Sequence, residues 1–347
     1  MRRYLVPVLG VAVVAFTFAY VLPRVADYGA VWQTLRSLAP KQLVLLVAAT
    51  IANLITYAPP YYVTVPGLGL WRAFVISQVA SAASYVAPGG AAATTALSYA
   101  MLRSWGFARR GIAVSLAAIA AFNQIVLLAA PAVALLLLTL VGERNALLET
   151  VALAGLVLLV LPVSALVLAL ASRRIAVRVG DVAARFVSFA LSLVKRPPVH
   201  WSGEAFAMFR EEALELLRGR AWLLAVVTVA GHATVFLVLL ATLRTLGVPA
   251  TDVSGIECFA AWSLVRLLGS IPITPGGIGL VELGLTGALT QFGGDDAAVV
   301  AAVLLYRVLT LVPTIVLGAL LGLTWRKSAR PTVTETETSA DQPKVKA

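Results

Sequence analysis

The sequence predicts an all-α polytopic membrane protein made of two inverted repeats of about five membrane segments, each holding a broken or re-entrant Pro-Gly-Gly helix hairpin. Three observations lead there: an extreme apolar composition, long apolar runs from end to end, and two Pro-Gly-Gly motifs with opposite flanking charge. Hydrophobic residues make up 60% of the chain and charged residues only 12%. With a mean hydropathy of +0.93, this lies outside the range of soluble domains. The apolar runs are long enough to cross roughly 30 Å of hydrocarbon as helix, at about 1.5 Å per residue. They do not alternate polar with apolar residues, which argues against a closed barrel. Cys258 is the single cysteine, so no disulfide forms within the chain.

Membrane segments are predicted at 4–22, 42–58, 70–86, 90–102, 111–140, 151–171, 222–243, 253–271, 276–291 and 297–323. The opening "MRRYLVPVLGVAVVAFTFAYVLPR" has the basic start of a signal peptide. Its apolar region is long and no small-residue cleavage site follows, so it is read as the first span. The net charge of +11 is assigned to topology rather than to nucleic acid, and no nucleic-acid partner is expected. With both termini cytoplasmic, only Arg24, Arg36, Lys41, Arg144 and Arg244 fall outside, and Arg266 and Arg307 fall within the membrane. All other Lys and Arg lie inside, while Asp27, Glu143, Glu149, Asp252, Asp295 and Asp296 face out. The positive-inside rule selects this orientation.

Residues 1–323 are predicted as a single membrane domain with repeat halves at about 1–145 and 146–323. The stretch 172–221 is a cytoplasmic amphipathic connector. Val179, Val182, Phe186 and Leu193 share a helical face beside Arg178, Arg185, Lys195 and Arg196, the pattern of an interfacial helix. In "GEAFAMFREEALELLRG", Phe206, Phe209, Ala213 and Leu217 share a side at helical spacing. Two readings stand: a solvated connector resting on the membrane, or a regulatory or partner-binding element. The tail, 324–347, is polar, rich in Thr and free of aromatic residues beyond Trp325, and is expected to be disordered and cytoplasmic.

Laying Pro88 on Pro275 also matches Gly89 with Gly276, Gly90 with Gly277, Leu102 with Leu289 and Gly106 with Gly293. Past each motif the charges differ in sign, with Arg109 and Arg110 after the first and Asp295 and Asp296 after the second. The positive-inside rule then puts the copies in opposite orientations. Each motif either joins two full crossings or caps a re-entrant hairpin, and the short helices that follow favour the hairpin.

Proline suits a helix start, and adjacent glycines allow ligand or backbone to approach closely. The free N–H groups of such a start, at membrane depth, attract an anion. The competing reading is that Pro88, Gly89, Gly90 and Pro275, Gly276, Gly277 only permit close packing or a tight turn. Glu282 is predicted about two turns into the second motif helix, where an ionised acid needs a partner. Arg266 and Arg307 flank it in sequence. An ion pair with one of them is either structural or part of a transport site in which an arginine holds a substrate phosphate.

The first-half counterpart of Glu282 is Thr95, so the copies are chemically unequal. Glu257 is read as snorkelling near the end of its span. Asn53, Gln78, Asn123, Gln124 and His232 either line a cavity or make interhelical hydrogen bonds, with a proton relay as the sharper reading of His232. Trp32, Trp71, Trp105, Trp222 and Trp325 fall near segment ends as an aromatic belt.

"PITPGGIGLVELG" together with "YRVLTLVPTIVLGALLG" resembles the signature of the lysylphosphatidylglycerol synthase membrane-domain family, a flippase-like family. The likeness is specific around 266–323 and diffuse back to about residue 10. It implies a multispan bacterial or archaeal inner-membrane protein; in two-domain relatives this part moves aminoacylated phosphatidylglycerol between leaflets. Pro275, Gly276, Gly277, Glu282 and Arg307 match the family motif directly, and Arg266 also fits. Two departures stand out. "APGGAAATTALSYAMLR" lacks the charged residues many relatives carry, and no aminoacyl-transferase domain follows residue 323, so lipid synthesis is not expected of this chain.

The expected function is therefore a flippase or transporter for an amphiphile with an anionic head group, either modified phosphatidylglycerol or a polyprenyl-phosphate-linked sugar. The alternative is a non-transporting membrane partner or scaffold for an envelope glycosyltransferase or lipid-modifying enzyme, engaged through 172–221. No metal-ligand cluster, nucleotide loop or nucleophile with its base is found, so neither enzyme activity nor a cofactor is expected.

Overall fold

The computed structural model describes residues 36, 38–87, 90–142, 160, 164, 168, 172–193, 203–270 and 275–328. Among them the regular elements are α1 (Pro40–Thr56), α2 (Pro59–Thr64), α3 (Leu70–Val86), α4 (Gly90–Ser104) and α5 (Arg109–Val141). An amphipathic pair follows, α6 (Arg173–Leu193) and α7 (Gly203–Leu217). The second half holds α8 (Ala221–Thr245), α9 (Gly255–Gly269), a 3-10 turn at Pro275–Gly277, α10 (Leu280–Gln291) and α11 (Asp296–Ser328). The predicted segments 4–22 and 151–171 fall outside the described residues apart from 160, 164 and 168. So do Asp27, Trp32, Pro88, Gly89, Glu143, Glu149 and 329–347.

Among the described residues, four stretches are long and apolar enough to cross a membrane: Pro40–Thr64, Arg109–Val141, Ala221–Thr245 and Asp296–Trp325. The chain is a membrane protein with an all-helical described structure. Pro40 occupies the first turn of α1, where its missing N–H is not needed. The span then continues through Pro59 and Pro60 to Thr64, further than the predicted 42–58. Gly142 closes α5 in the left-handed region, at φ 88°, the usual helix stop. α11 runs to Ser328 rather than ending at 323.

α11 is the central helix: 61% of its most apolar window is buried, against 28% for Pro40–Thr64 and Arg109–Val141 and 39% for Ala221–Thr245. Its neighbours are α3, α8, α10 and α1. α11 crosses α3 so closely that a Cβ at Gly318 would meet the Ala82 side chain and lie 2.6 Å from the Gln78 carbonyl oxygen. Only a glycine lets the backbones approach this far. Tyr306 of α11 is buried in a separate cluster with Trp262, Leu285 and Leu289.

The connector forms the expected helices. α6 and α7 pack on each other, and α7 rests against α5. Ala213 is buried, and Leu216 and Leu217 pack against a cluster of Val63, Ala118 and Leu224. Arg110 and Glu212 approach to 3.8 Å at an exposed site, a pairing that contributes little. On α6, Ala176 and Ala184 are buried while Arg174, Arg178 and Arg185 face outward. The side chains of Val179, Phe186, Leu193, Lys195, Arg196 and Phe206 are outside the described residues.

Candidate functional site

The second Pro-Gly-Gly motif does not start a continuous helix. Gly276, Gly277 and Gly279 have φ of 62°, 67° and 87°, values that cost an L-residue roughly 1–2 kcal/mol each. A Cβ at Gly277 would also lie 2.9 Å from the Val281 side chain. The chain therefore turns through Pro275–Gly277, and α10 begins only at Leu280 with Gly279 as its N-cap. Glu282 consequently sits in the first turn of α10, not about two turns into a helix begun at Pro275.

That position explains what the acid does. Oε2 of Glu282 accepts the Gly279 N–H at 2.6 Å, filling the positive end of the helix with a negative group. Oε1 accepts Nε of Arg307 at 2.6 Å. Nη2 of Arg307 then donates to the Gly276 carbonyl at 2.8 Å. Arg307 thus clasps both sides of the turn from α11. Glu282 and Arg307 are each only 6% exposed, so a buried charge is matched by a buried countercharge. The helix start therefore lies at Gly279 rather than at Pro275, and Glu282 supplies a carboxylate to it in cis.

Arg266 is placed differently. It lies in the last turn of α9 and is not bonded to Glu282, which is taken by Arg307. Its Nε is buried without a hydrogen-bond partner, and its Cζ lies 5.8 Å from the centre of the Trp262 ring, a cation–π distance. Tyr306, Tyr57 and Tyr85 are its electrostatic neighbours. Tyr85 also links the two halves: a Cβ on Gly276 would come within 3.3 Å of the Tyr85 ring and carbonyl oxygen. The end of α3, immediately before the first motif, therefore packs on the second motif.

In the first half Pro88 and Gly89 are outside the described residues, and Gly90 opens α4. Any Cβ at Gly90 would collide with the Ser84 carbonyl oxygen, so the turn between α3 and α4 demands glycine. Thr94 ties the two helices by donating to the Ala80 carbonyl at 3.1 Å. Thr95 is exposed and bonds only within its own helix. It borders an open, mostly apolar groove on α4 with Ala91, Ala92, Ala96 and Tyr99.

The remaining polar residues are mainly structural. Nε2 of Gln78 donates to the Leu54 carbonyl at 2.7 Å, whereas Oδ1 of the buried Asn53 has no partner. His232 Nε2 and Asn123 Oδ1 join α8 to α5 at 2.9 Å, and Gln124 is exposed. Glu257 does not snorkel. It is buried and forms a capping box, its Oε2 accepting the Ser254 N–H at 2.6 Å while Ser254 Oγ accepts the Glu257 N–H at 3.2 Å. Trp71 and Trp222 are each 66% exposed, as an aromatic belt requires, but Trp105 lies beneath Arg72 and Trp325 donates to Ser104 Oγ.

Sequence reasoning missed Gly279, Tyr57, Tyr85, Trp262 and Tyr306. Gly279 had a signal, since its spacing to Glu282 repeats that of Ser254 to Glu257. The three tyrosines and Trp262 had none, because an aromatic residue in an apolar run reads as core.

No curated protein matches the chain. The family described as Lysylphosphatidylglycerol synthase TM region matches residues 8–318, a span that contains every helix of the bundle except the last residues of α11. Both the glycine-broken turn and the arginine that clasps it lie inside that match, and the chain belongs to the Lysylphosphatidylglycerol synthase TM region family.

Proposed function

We propose that the protein is a lipid flippase or related transporter for an amphiphile with an anionic head group, such as a modified phosphatidylglycerol or a polyprenyl-phosphate-linked sugar. The observation that carries this reading is the surplus of positive charge beside the second motif. Arg266 and Arg307 both act electrostatically on Tyr306, and the acid bonded there among the described residues is Glu282, held by Arg307. Charged groups inside a membrane domain are expensive and mark a polar ligand's path.

Two inverted repeats would supply the two access states. Support comes from the shift that lays Pro88 on Pro275, which carries Arg109–Val141 onto Asp296–Ser328 and Pro40–Thr56 into Ala221–Thr245. The packing follows the same exchange, with α3 on α11 answered by α9 on α5, and α1 on α11 answered by α8 on α5. α1 and α8 meet each other, as elements on either side of a two-fold axis do. The helices flanking each motif favour re-entrant hairpins: α3 and α4 have 17 and 15 residues, α9 and α10 have 15 and 12. At about 1.5 Å per residue all four fall short of roughly 30 Å. The charge pattern supports both termini on the cytoplasmic side, and the family resemblance supports a plasma (inner) membrane.

The test is reconstitution of the full chain into vesicles with head-group-labelled lipids of both anionic classes, followed by a membrane-impermeant quencher. The expected result is label exchange between leaflets at least tenfold above empty vesicles for one class, the scale of about 1.4 kcal/mol in barrier. Exchange no faster than in empty vesicles for every anionic class contradicts the proposal.

A further inference from the structure

We propose that the outer face of α6, with Arg174, Arg178 and Arg185 beside Val182, docks on the surface of the cytoplasmic leaflet and is held there by the leaflet's negative charge rather than by any particular head group. The inference rests on the cytoplasmic placement of the Arg109 end of α5 and is independent of what the protein moves.

The two sides of α6 differ in kind. Ala176, Gly180 and Ala184 recur every four residues and are buried, a row of small side chains turned inward on a helix that packs on α7. At roughly 100° per residue, Arg174, Arg178 and Arg185 fall within about 40° of one another on the other side. All three are exposed. Asp181 stands in the same stripe, and its backbone carbonyl accepts Nε of Arg185 at 3.3 Å. Three arginines against one aspartate leave the stripe basic. Val182, at the edge of the stripe, is 58% exposed and belongs to the apolar row predicted at 179, 182, 186 and 193. An apolar row flanked by arginines suits the head-group layer, where the stems lie on apolar surface and the guanidinium groups reach phosphates.

Depth favours lipid over open solvent. α7 is anchored to the bundle, since Leu216 and Leu217 pack against Val63, Ala118 and Leu224 and Glu212 approaches Arg110 at 3.8 Å. From Arg110 to Ala118 α5 rises about 12 Å, so α7 is held between the first turn of α5 and its membrane span. α6 packs on that helix, within about one helix diameter, roughly 10 Å. Charge then selects the occupant. The exposed residues of α7 include Glu211 and Glu215 beside Arg218, so the helix pair presents its basic stripe on α6. A leaflet containing anionic lipids attracts that stripe. An acidic protein surface would match the charge but not the fixed depth.

The experiment places a polarity-sensitive fluorophore on Val182→Cys of the full chain in a Cys258→Ala background. Nanodiscs carry a doxyl-labelled phosphatidylcholine as quencher. Their lipid is phosphatidylcholine alone, or phosphatidylcholine mixed with phosphatidylserine, phosphatidic acid or phosphatidylglycerol at equal surface charge. Quenching is expected in every anionic disc, less in phosphatidylcholine alone, and less again at high salt. Replacing Arg174, Arg178 and Arg185 by Gln should lower the docked-to-free ratio about fivefold for each arginine lost. The thermal midpoint of that triple variant in detergent should equal that of wild type, because the three side chains are exposed.

No quenching in any disc would make α6 a solvated connector and overturn the proposal. Equal quenching in all discs, unchanged in the triple variant, would show apolar seating without charge and overturn it as well. A response to one anionic lipid and not the others would replace charge by head-group recognition. A lower midpoint in the triple variant would mean that the arginines hold the helix pair together, and would also overturn the proposal. Shielding of position 182 from aqueous iodide in lipid-free detergent, lost on dilution, would give the face to a second copy of the chain.

Discussion

Arg307→Gln is expected to destabilise the protein by about 3–5 kcal/mol, the usual consequence of leaving one member of a buried ion pair without its partner. The affected structure is more than one contact. Losing the guanidinium strands Glu282 and also releases the Gly276 carbonyl, so the turn at Pro275–Gly277 loses its clasp from α11. Thermal or denaturant unfolding in nanodiscs is the measurement. Glu282→Gln should also destabilise, while the double variant should be more stable than the sum of the single losses implies, since neither charge is then stranded. Additive losses would show that the 2.6 Å contact contributes no coupling.

The second large effect concerns packing, and two glycines one turn apart on α11 provide the comparison. At Gly318 an added methyl meets Ala82 and the Gln78 backbone, whereas at Gly322 the nearest atoms are Val79 methyls at 3.8 Å and 3.9 Å. Gly318→Ala is expected to cost about 1–3 kcal/mol or more, because the obstructing carbonyl is helix backbone. Gly322→Ala should be neutral or stabilising by up to about 1 kcal/mol, from the lower backbone entropy of alanine in a helix. Unfolding midpoints of the two variants, measured side by side, check both. Equal midpoints would contradict the close crossing of α3 and α11.

The distribution of helices was legible because apolar run length depends on composition alone. α3 matches its predicted segment 70–86, and α4, α5, α8, α9 and α11 lie within a few residues of theirs. The broken start of α10 was only half legible. Pro275 advertises a helix start, but three glycines with positive φ postpone it to Leu280, and a proline signal does not reveal that delay. In sequence the two acids look like a snorkelling group and a deep acid, although both stand three residues after a helix N-cap. Weighing the capping spacing before membrane depth would have placed them.

Partner choice was the least legible part of the site. Arg266 and Arg307 look alike in sequence, each alone in an apolar run. Which one pairs with Glu282 depends on the approach of α11 to the turn, a tertiary distance. The tyrosines beside Arg266 come from α11, the end of α3 and the C-cap of α1, so no local pattern could assemble them.

The account's central claim is that two halves of opposite orientation meet at one anion site, and the topology of aligned positions tests it most directly. Arg109 and Asp296 open two helices of equal length, 33 residues each, and are aligned by the shift that lays Pro88 on Pro275. Single cysteines at 109 and 296 can be introduced in a Cys258→Ala background, where the buried native thiol no longer contributes. Intact cells treated with an impermeant thiol reagent should label position 296 alone, with position 109 reacting only after permeabilisation. Labelling at both positions in intact cells would place the copies in the same orientation and contradict the account.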